Sequence, residues 1–152
     1  MKNRFHHALR VSNKIETKIA NLFASNGYEV ISMSNDNSYD FVIKKGFEVK
    51  TYEVKTDFFI RKDFDTGNMF IEYECRNKPS GISTTSADWY VYYYFNLDEL
   101  WFIKTSDLKD LIEEYTFLTT FQSGDDNSNT RGYLIPRNEP HIKELFTIRK
   151  LC

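Results

Sequence analysis

Residues 39–56, YDFVIKKGFEVKTYEVKT, decide how this chain is read. Phe41, Val42 and Ile43 form a short apolar run rich in β-branched residues, and residues 47–54 alternate between apolar and polar. Between them Lys44, Lys45 and Gly46 read as a tight turn, for which Gly46 supplies the positive φ. The stretch is therefore a β-hairpin. Residues two apart on a strand share a face, so Glu53 and Lys55 point the same way, together with Phe47, Val49 and Thr51.

A second Glu-x-Lys, Glu48-Val49-Lys50, lies on the opposite face of the same strand. Turn length decides which of the two accompanies Asp40. A two-residue turn at Lys45-Gly46 sets Asp40 against Thr51 and makes Glu53 its diagonal neighbour, roughly 7–8 Å away between backbones. A three-residue turn with a Gly bulge pairs Ile43 with Phe47 and gives Asp40 the company of Glu48 and Lys50 instead. Parity alone leaves both open. Glu53 is favoured because a charge beside the turn, as Glu48 is, is ordinarily exposed.

Outward from the hairpin, Ile15, Ile19, Leu22 and Phe23 recur at helical spacing and Asn26-Gly27 closes a helix expected to begin at Asn13. Glu16 then has two readings: a capping-box acid three residues after Asn13, or a carboxylate leaning over the sheet toward Asp40. Residues 28–33 read as a first strand and 34–38 as a polar loop. Residues 68–75 read as a further strand, with Glu72 and Glu74 beside Phe70 on one face; Glu72 reads first as an edge-strand charge and second as a member of the Asp40 site. Residues 89–95 and 100–105 are aromatic-rich strands joined as a hairpin. Ser106 caps a helix whose apolar face is Leu108, Leu111, Ile112 and Tyr115. Residues 117–129 form a long polar connection, 132–136 a late edge strand, and 140–146 a short helix with Pro140 in its first turn. Strands and helices in this order predict an α/β fold, a central mixed β-sheet flanked by helices.

The 152 residues suit a single domain, 1–152, able to bury a real core. Aromatic residues make up 16%, enough that some of the thirteen Phe and ten Tyr could stack on bases, although core packing explains most of them. The formal net charge of −2 is no signature of nucleic-acid binding; clustered carboxylates at a metal site would mask basic residues elsewhere. Two distant cysteines, Cys75 and Cys152, lack metal-ligand spacing and suit a reduced, cytoplasmic protein. The first residues lack the apolar core of a signal peptide, His6-His7 reads as an exposed pair, and no span is long enough for a membrane.

Asp40, Glu53 and Lys55, preceded by Glu16 on a helix, resemble the signature of the PD-(D/E)XK nuclease superfamily, in particular small phage-type nucleases and archaeal-type Holliday junction resolvases. Residues 67–72, 79–82 and 87–90 are similar to such members, and the resemblance spans 13–112. Tyr39 stands where the name-giving proline would be, and no Gln or Lys follows on a helix as it does in the exonuclease branch. The resemblance implies a restriction-endonuclease-like fold and a Mg²⁺- or Mn²⁺-dependent endonuclease acting on DNA, in one form structure-specific and resolvase-like. It implies Asp40, Glu53 and the Val54 carbonyl as metal ligands, Lys55 on the attacking water or the phosphate, and Glu16 as an outer ligand or a ligand of a second metal. Resolvase-like members are dimers, so a homodimer is an option here, and a phage-encoded protein acting in a host cell fits the likeness.

Arg61 and Lys62, just after the site, and Lys78, Ser80 and Thr84 in the second informative loop are the candidates for substrate contact, as cations and hydroxyls suited to phosphate oxygens. Two other readings stand beside the nuclease. One is a catalytically silent module of the same fold that binds nucleic acid or a protein partner. The other is an α/β protein in which Glu53 and Lys55 are only an ion pair.

Overall fold

The computed structural model describes residues 2–33, 40–122 and 129–151, with side chains described from Lys14 onward except at 32–39 and 121–128. The 34–38 loop, Tyr39, Cys152, the side chains of His6 and His7, and the centre of the 117–129 connection lie outside that description.

Helix α1 (Lys2–Ser25) begins well before the expected start. Asn13 therefore lies inside the helix, and the capping reading of Glu16 falls away, because a capping acid needs the free N–H groups of a first turn. The helix ends as expected: the Ser25 hydroxyl and the Asn26 amide both donate to the Leu22 carbonyl, each at 2.8 Å.

Strands β1 (Glu29–Met33), β2 (Phe41–Lys45) and β3 (Glu48–Asp57) form an antiparallel meander. The hairpin turn is Gly46-Phe47, with Gly46 at φ +61° in the first central position, where a type II′ turn needs it. It lies one residue later than the sequence suggested. The register accordingly pairs Lys45 with Glu48, Ile43 with Lys50 and Phe41 with Tyr52. Moving the turn by one residue moves the pairing by two, which leaves every side chain on its predicted face.

After β3 the chain crosses over through β4 (Asn68–Cys75), β5 (Lys78–Pro79) and a 3₁₀ turn (Gly81–Ser83) before β6 (Trp89–Tyr94) returns parallel to β3. Strand β7 (Glu99–Lys104) runs back beside β6, and helix α2 (Thr105–Glu114) follows directly; Ser106 sits in its first turn rather than at its cap. Strands β8 (Leu118–Gln122) and β9 (Thr130–Pro136), helix α3 (Pro140–Lys143) and strand β10 (Thr147–Lys150) complete the order.

The result is an α/β fold with a mixed six-stranded sheet, β1-β2-β3-β6-β7-β10, in which β3–β6 is the one parallel pair. A second, antiparallel sheet has the order β5-β4-β9-β8. It corrects three expectations. β9 is interior rather than an edge, β4 has a neighbour on each side, and the 117–129 connection contributes a strand at its start. β10 was not foreseen.

The six-stranded sheet is buried on both faces. Helix α1 lays Ile15, Ile19 and Phe23 on Phe41, Ile43, Tyr52, Val91, Tyr93 and Leu100. The opposite face presents Tyr90, Tyr92, Tyr94, Trp101 and Ile103 to Met69, Ile71 and Ile135 of the second sheet and to Leu108 and Leu111 of α2. Each fully buried aliphatic or aromatic side chain contributes about 1.5–3 kcal/mol. Strand β6 feeds both cores, its odd residues facing the helix and its even residues the second sheet.

One polar clamp sets the parallel pair. The Asp88 carboxylate accepts from the Thr51 N–H (2.9 Å) and hydroxyl (3.2 Å), while the Asp88 N–H donates to the Thr51 hydroxyl (2.9 Å). Parallel strands have no tight turn to fix their register, and this clamp supplies a fixed point at the start of the ladder. Replacement of Asp88 by Ala is expected to lower stability by about 1–2 kcal/mol, hence the melting temperature by roughly 2–8 °C. Thermal unfolding followed by circular dichroism measures it; an unchanged midpoint would mean that side-chain packing alone holds the register.

Candidate metal centre

Asp40 enters the site from the residue before β2. Its N–H donates to the Tyr52 carbonyl (2.8 Å), and its carboxylate accepts the Val54 N–H (2.7 Å). The two bonds bracket Glu53, so Asp40 is fixed beside it. Phe41 and Tyr52 face α1, and alternation sends Asp40 and Glu53 the other way, into the space between the two sheets. The rival pair stays outside: Glu48 and Lys50 are exposed, and their register partners are Lys45 and Ile43.

Glu53 is only 6% exposed. One carboxylate oxygen, Oε1, meets the Lys55 ammonium at 3.2 Å; the other, Oε2, is buried with no hydrogen-bond partner. A buried carboxylate oxygen left unpaired costs more than one exposed to water. Burial is the largest influence on Glu53 and pushes its carboxyl above the ordinary range. Lys55 opposes that push, and the charges of Asp40 and Glu72 add to it. Asp40 is likewise raised by burial, against the opposing Val54 N–H and Lys55. Glu16, partly buried on α1, is raised by burial and then by Asp40. Glu16, Asp40, Glu53 and Glu72 are thus linked electrostatically, with Lys55 as the cation among them.

Tyr90 was not singled out from the sequence. It is the register partner of Glu53 across the β3–β6 ladder, fully buried, and its hydroxyl has no hydrogen-bond partner. Burial drives its phenol well above the ordinary value, reinforced by Tyr92, Glu53, Glu72 and Asp40. The ladder continues with Lys55 beside Tyr92 and Asp57 beside Tyr94, and the Tyr92 hydroxyl donates to the Asp57 carboxylate at 3.1 Å. The alternation of residues 90, 92 and 94 was visible in the sequence, but only the parallel register sets them against the charged residues of β3.

The candidates for substrate contact fall in two places. Arg61 and Lys62 are exposed beyond the end of β3; Arg61 pairs with Asp63 at 2.8 Å and closes a small backbone bridge to Phe64. Lys78 is exposed on β5, Thr84 caps the 3₁₀ turn, and the Ser80 hydroxyl is buried without a partner. This second group is held on Glu72. Gly81 has φ +54°, and a Cβ there would stand 2.3 Å from the Glu72 carbonyl oxygen, so only glycine lets the turn settle on β4.

Among the described residues, no group of three or more His, Cys, Asp or Glu side chains stands ready to hold a metal ion. A set of two carboxylates completed by a main-chain oxygen is a different arrangement, and the residues fit it. The N–H and C=O of one strand residue point to the same side of the strand. Val54 turns its N–H to Asp40, so its carbonyl is directed to that side as well. The unpaired Glu53 Oε2, next to a second raised carboxylate, is what a hard cation would satisfy.

A carboxyl raised by folding binds protons more readily in the native state. Its contribution is therefore favourable at low pH and is lost as pH rises from the ordinary carboxylate range through the folded value. Asp40→Asn and Glu53→Gln should accordingly melt a few degrees higher than the parent protein near neutral pH, a scale of about 1 kcal/mol in a chain of this length. The gain should shrink on acidification through the carboxylate range. Melting curves across pH check this; a Glu53→Gln protein destabilised near neutral pH would make the Lys55 ion pair the dominant role of Glu53.

No protein-family model matches the chain, and neither does any curated protein or solved structure.

Proposed function

We propose that this chain is a Mg²⁺- or Mn²⁺-dependent endodeoxyribonuclease that hydrolyses DNA phosphodiester bonds. The observation that carries the reading is the buried Glu53 carboxylate, with Oε2 unpaired, set beside Asp40 on one face of the hairpin and followed two residues later by Lys55. Its resemblance to the PD-(D/E)XK signature, including Glu16 on the preceding helix, supports the same assignment.

In this reading Asp40, Glu53 and the Val54 carbonyl hold the ion. When bound, the divalent cation supplies positive charge against the phosphate and makes a coordinated water a better nucleophile. Lys55 orients that water or steadies a phosphate oxygen, as a compact cation can. Glu16 acts from outside the ligand set, orienting it through charge. Arg61 and Lys62 at one end, and Lys78, Ser80 and Thr84 at the other, contact the DNA backbone. Among the described residues no helix is long and apolar enough to cross a membrane. A structure-specific, resolvase-like activity would require a homodimer with two sites on opposing strands. One observation favours a second reading, a silent nucleic-acid- or protein-binding module: Lys55 already occupies one oxygen of Glu53.

Cleavage of linear, nicked, single-stranded and four-way DNA, with and without Mg²⁺ or Mn²⁺, separates the two. Metal-dependent cutting is expected, abolished in Asp40→Ala and Glu53→Ala together with metal binding by calorimetry. Lys55→Ala should keep its metal affinity and lose roughly 10²–10⁴-fold in rate, and Glu16→Gln about 10–100-fold. Equal loss of metal binding in all three alanine variants would make Lys55 a support for the ligands. No cutting of any form by the parent protein would leave the binding module.

A further inference from the structure

A cavity of about 530 Å³ opens on the face of the six-stranded sheet that carries α1, opposite the carboxylates. Its size falls within the range of small-molecule sites. Two kinds of group dominate its lining, with Leu22, Asn26 and Thr147 besides. Tyr52 and Trp89 stand nearly parallel, their ring planes 12° apart, and Phe23, Tyr28 and Phe102 add further rings. Lys45, Arg149 and Lys150 bring cations, and among the described lining residues there is no carboxylate. Lys150 is turned to the Leu97 carbonyl (2.9 Å), and Arg149 donates from Nη1 to the Ile148 carbonyl (3.1 Å), which leaves Lys45 and the remaining guanidinium N–H groups of Arg149 for a ligand. Lys45 itself rests 4.8 Å from the centre of the Tyr28 ring, a position that keeps its ammonium at the cavity wall.

The two kinds of group select a ligand. A flat aromatic wall favours a planar ring that can stack on it. Cations without opposing carboxylates favour an anion. Inorganic phosphate would leave the rings unused, and an uncharged aromatic would leave Lys45 and Arg149 unused. Burial pushes the Tyr52 phenol up to about 12, with Tyr28 and Asp88 adding to the shift, so the ring itself stays neutral. At the nearest helix end, the Leu22 carbonyl is already taken by the Ser25 hydroxyl and the Asn26 amide.

We propose that this cavity is a nucleoside-phosphate site, with the base stacked on Tyr52 and Trp89 and the phosphate held by Lys45 and Arg149. The same chemistry is offered by a free nucleotide and by a terminal nucleotide of a DNA strand. It is a binding site independent of the carboxylate cluster.

Trp89 provides the signal, since the only other tryptophan, Trp101, is 2% exposed and lies in the opposite core. Binding of adenosine 5′-monophosphate, adenosine, inorganic phosphate and a short 5′-phosphorylated oligodeoxynucleotide would be followed by tryptophan fluorescence and calorimetry. Asp40→Ala protein is used so that the strand is not cut. Quenching by the mononucleotide with an affinity at least matching the oligonucleotide identifies a free nucleotide as ligand; quenching by the oligonucleotide alone identifies a strand end. Either supports the site, provided that Lys45→Ala and Arg149→Ala each weaken binding about tenfold, the worth of one charge-assisted hydrogen bond. The proposal is overturned if neither phosphate ester binds. It is equally overturned if adenosine or inorganic phosphate binds as tightly as the mononucleotide, or if both variants bind as the parent does.

Discussion

The parallel pairing of β3 with β6 is the constraint on which the rest of this structure depends. Parallel neighbours cannot be joined by a tight turn, so the chain between them must leave the sheet and return over one face. Here that crossover is itself a strand, β4, with a short companion and a 3₁₀ turn, and it becomes the seed of the second sheet. The face that the crossover covers is the one to which Asp40, Glu53 and Lys55 point. The same pairing therefore creates the enclosed space and fills its floor with charge, while the Thr51–Asp88 clamp sets Glu53 level with Tyr90 rather than with a neighbour two residues away.

Charge in such a space is costly. Removing a carboxylate from water is compensated only by partners of good geometry, and Glu53 has one for a single oxygen. Tyr90 is buried beside it with an idle hydroxyl. Elsewhere the chain pairs its buried charge: Arg137, 3% exposed, is hydrogen-bonded to Asp65 and the Asn68 carbonyl and lies against the Tyr94 ring. Its partner Asp65 is held below the ordinary carboxylate range by that hydrogen bond. Arg137 leaves one buried N–H, at Nε, without a partner, but its charge is matched by Asp65, whereas at the middle of β3 two neighbouring carboxylates share one lysine; that difference is the physical reason for seeking a ligand at the cluster.

The face shared by Asp40, Glu53 and Lys55 was legible because a strand has a period of two, and an error of one residue in the turn shifts pairing by two. The α/β class and the central mixed sheet were legible from the order of periodic segments. What escaped needed long-range partners. β10, only four residues long, is a strand because β7 offers it an edge. β9 becomes interior because β8 precedes it and β4, some sixty residues earlier, pairs with it. The start of α1 was misplaced for a local reason. Asn13 resembles a cap, yet an Asn inside a helix costs well under about 1 kcal/mol relative to Ala, and a 24-residue helix absorbs it. Tyr90 was hidden among ten tyrosines until a register singled it out.

The pleat of β3 also explains how one strand faces two chemically different environments. Tyr52 and Glu53 are adjacent, and alternation sends the first to the aromatic, cationic cavity beneath α1 and the second to the carboxylate cluster between the sheets. The same alternation on β6 sends Trp89 to the cavity and Tyr90 to the cluster. A slip of one residue in the parallel register would turn one of the two strands over, so that Tyr52 and Trp89 would no longer share a face and Glu53 would no longer stand level with Tyr90. Apolar burial alone does not discriminate between those registers, because β6 is aromatic on both faces. The discrimination falls to the polar groups: the Thr51–Asp88 clamp at one end of the ladder and the Asp57–Tyr92 hydrogen bond at the other. Both environments are therefore set by hydrogen bonds that lie outside the cavity and the carboxylate cluster.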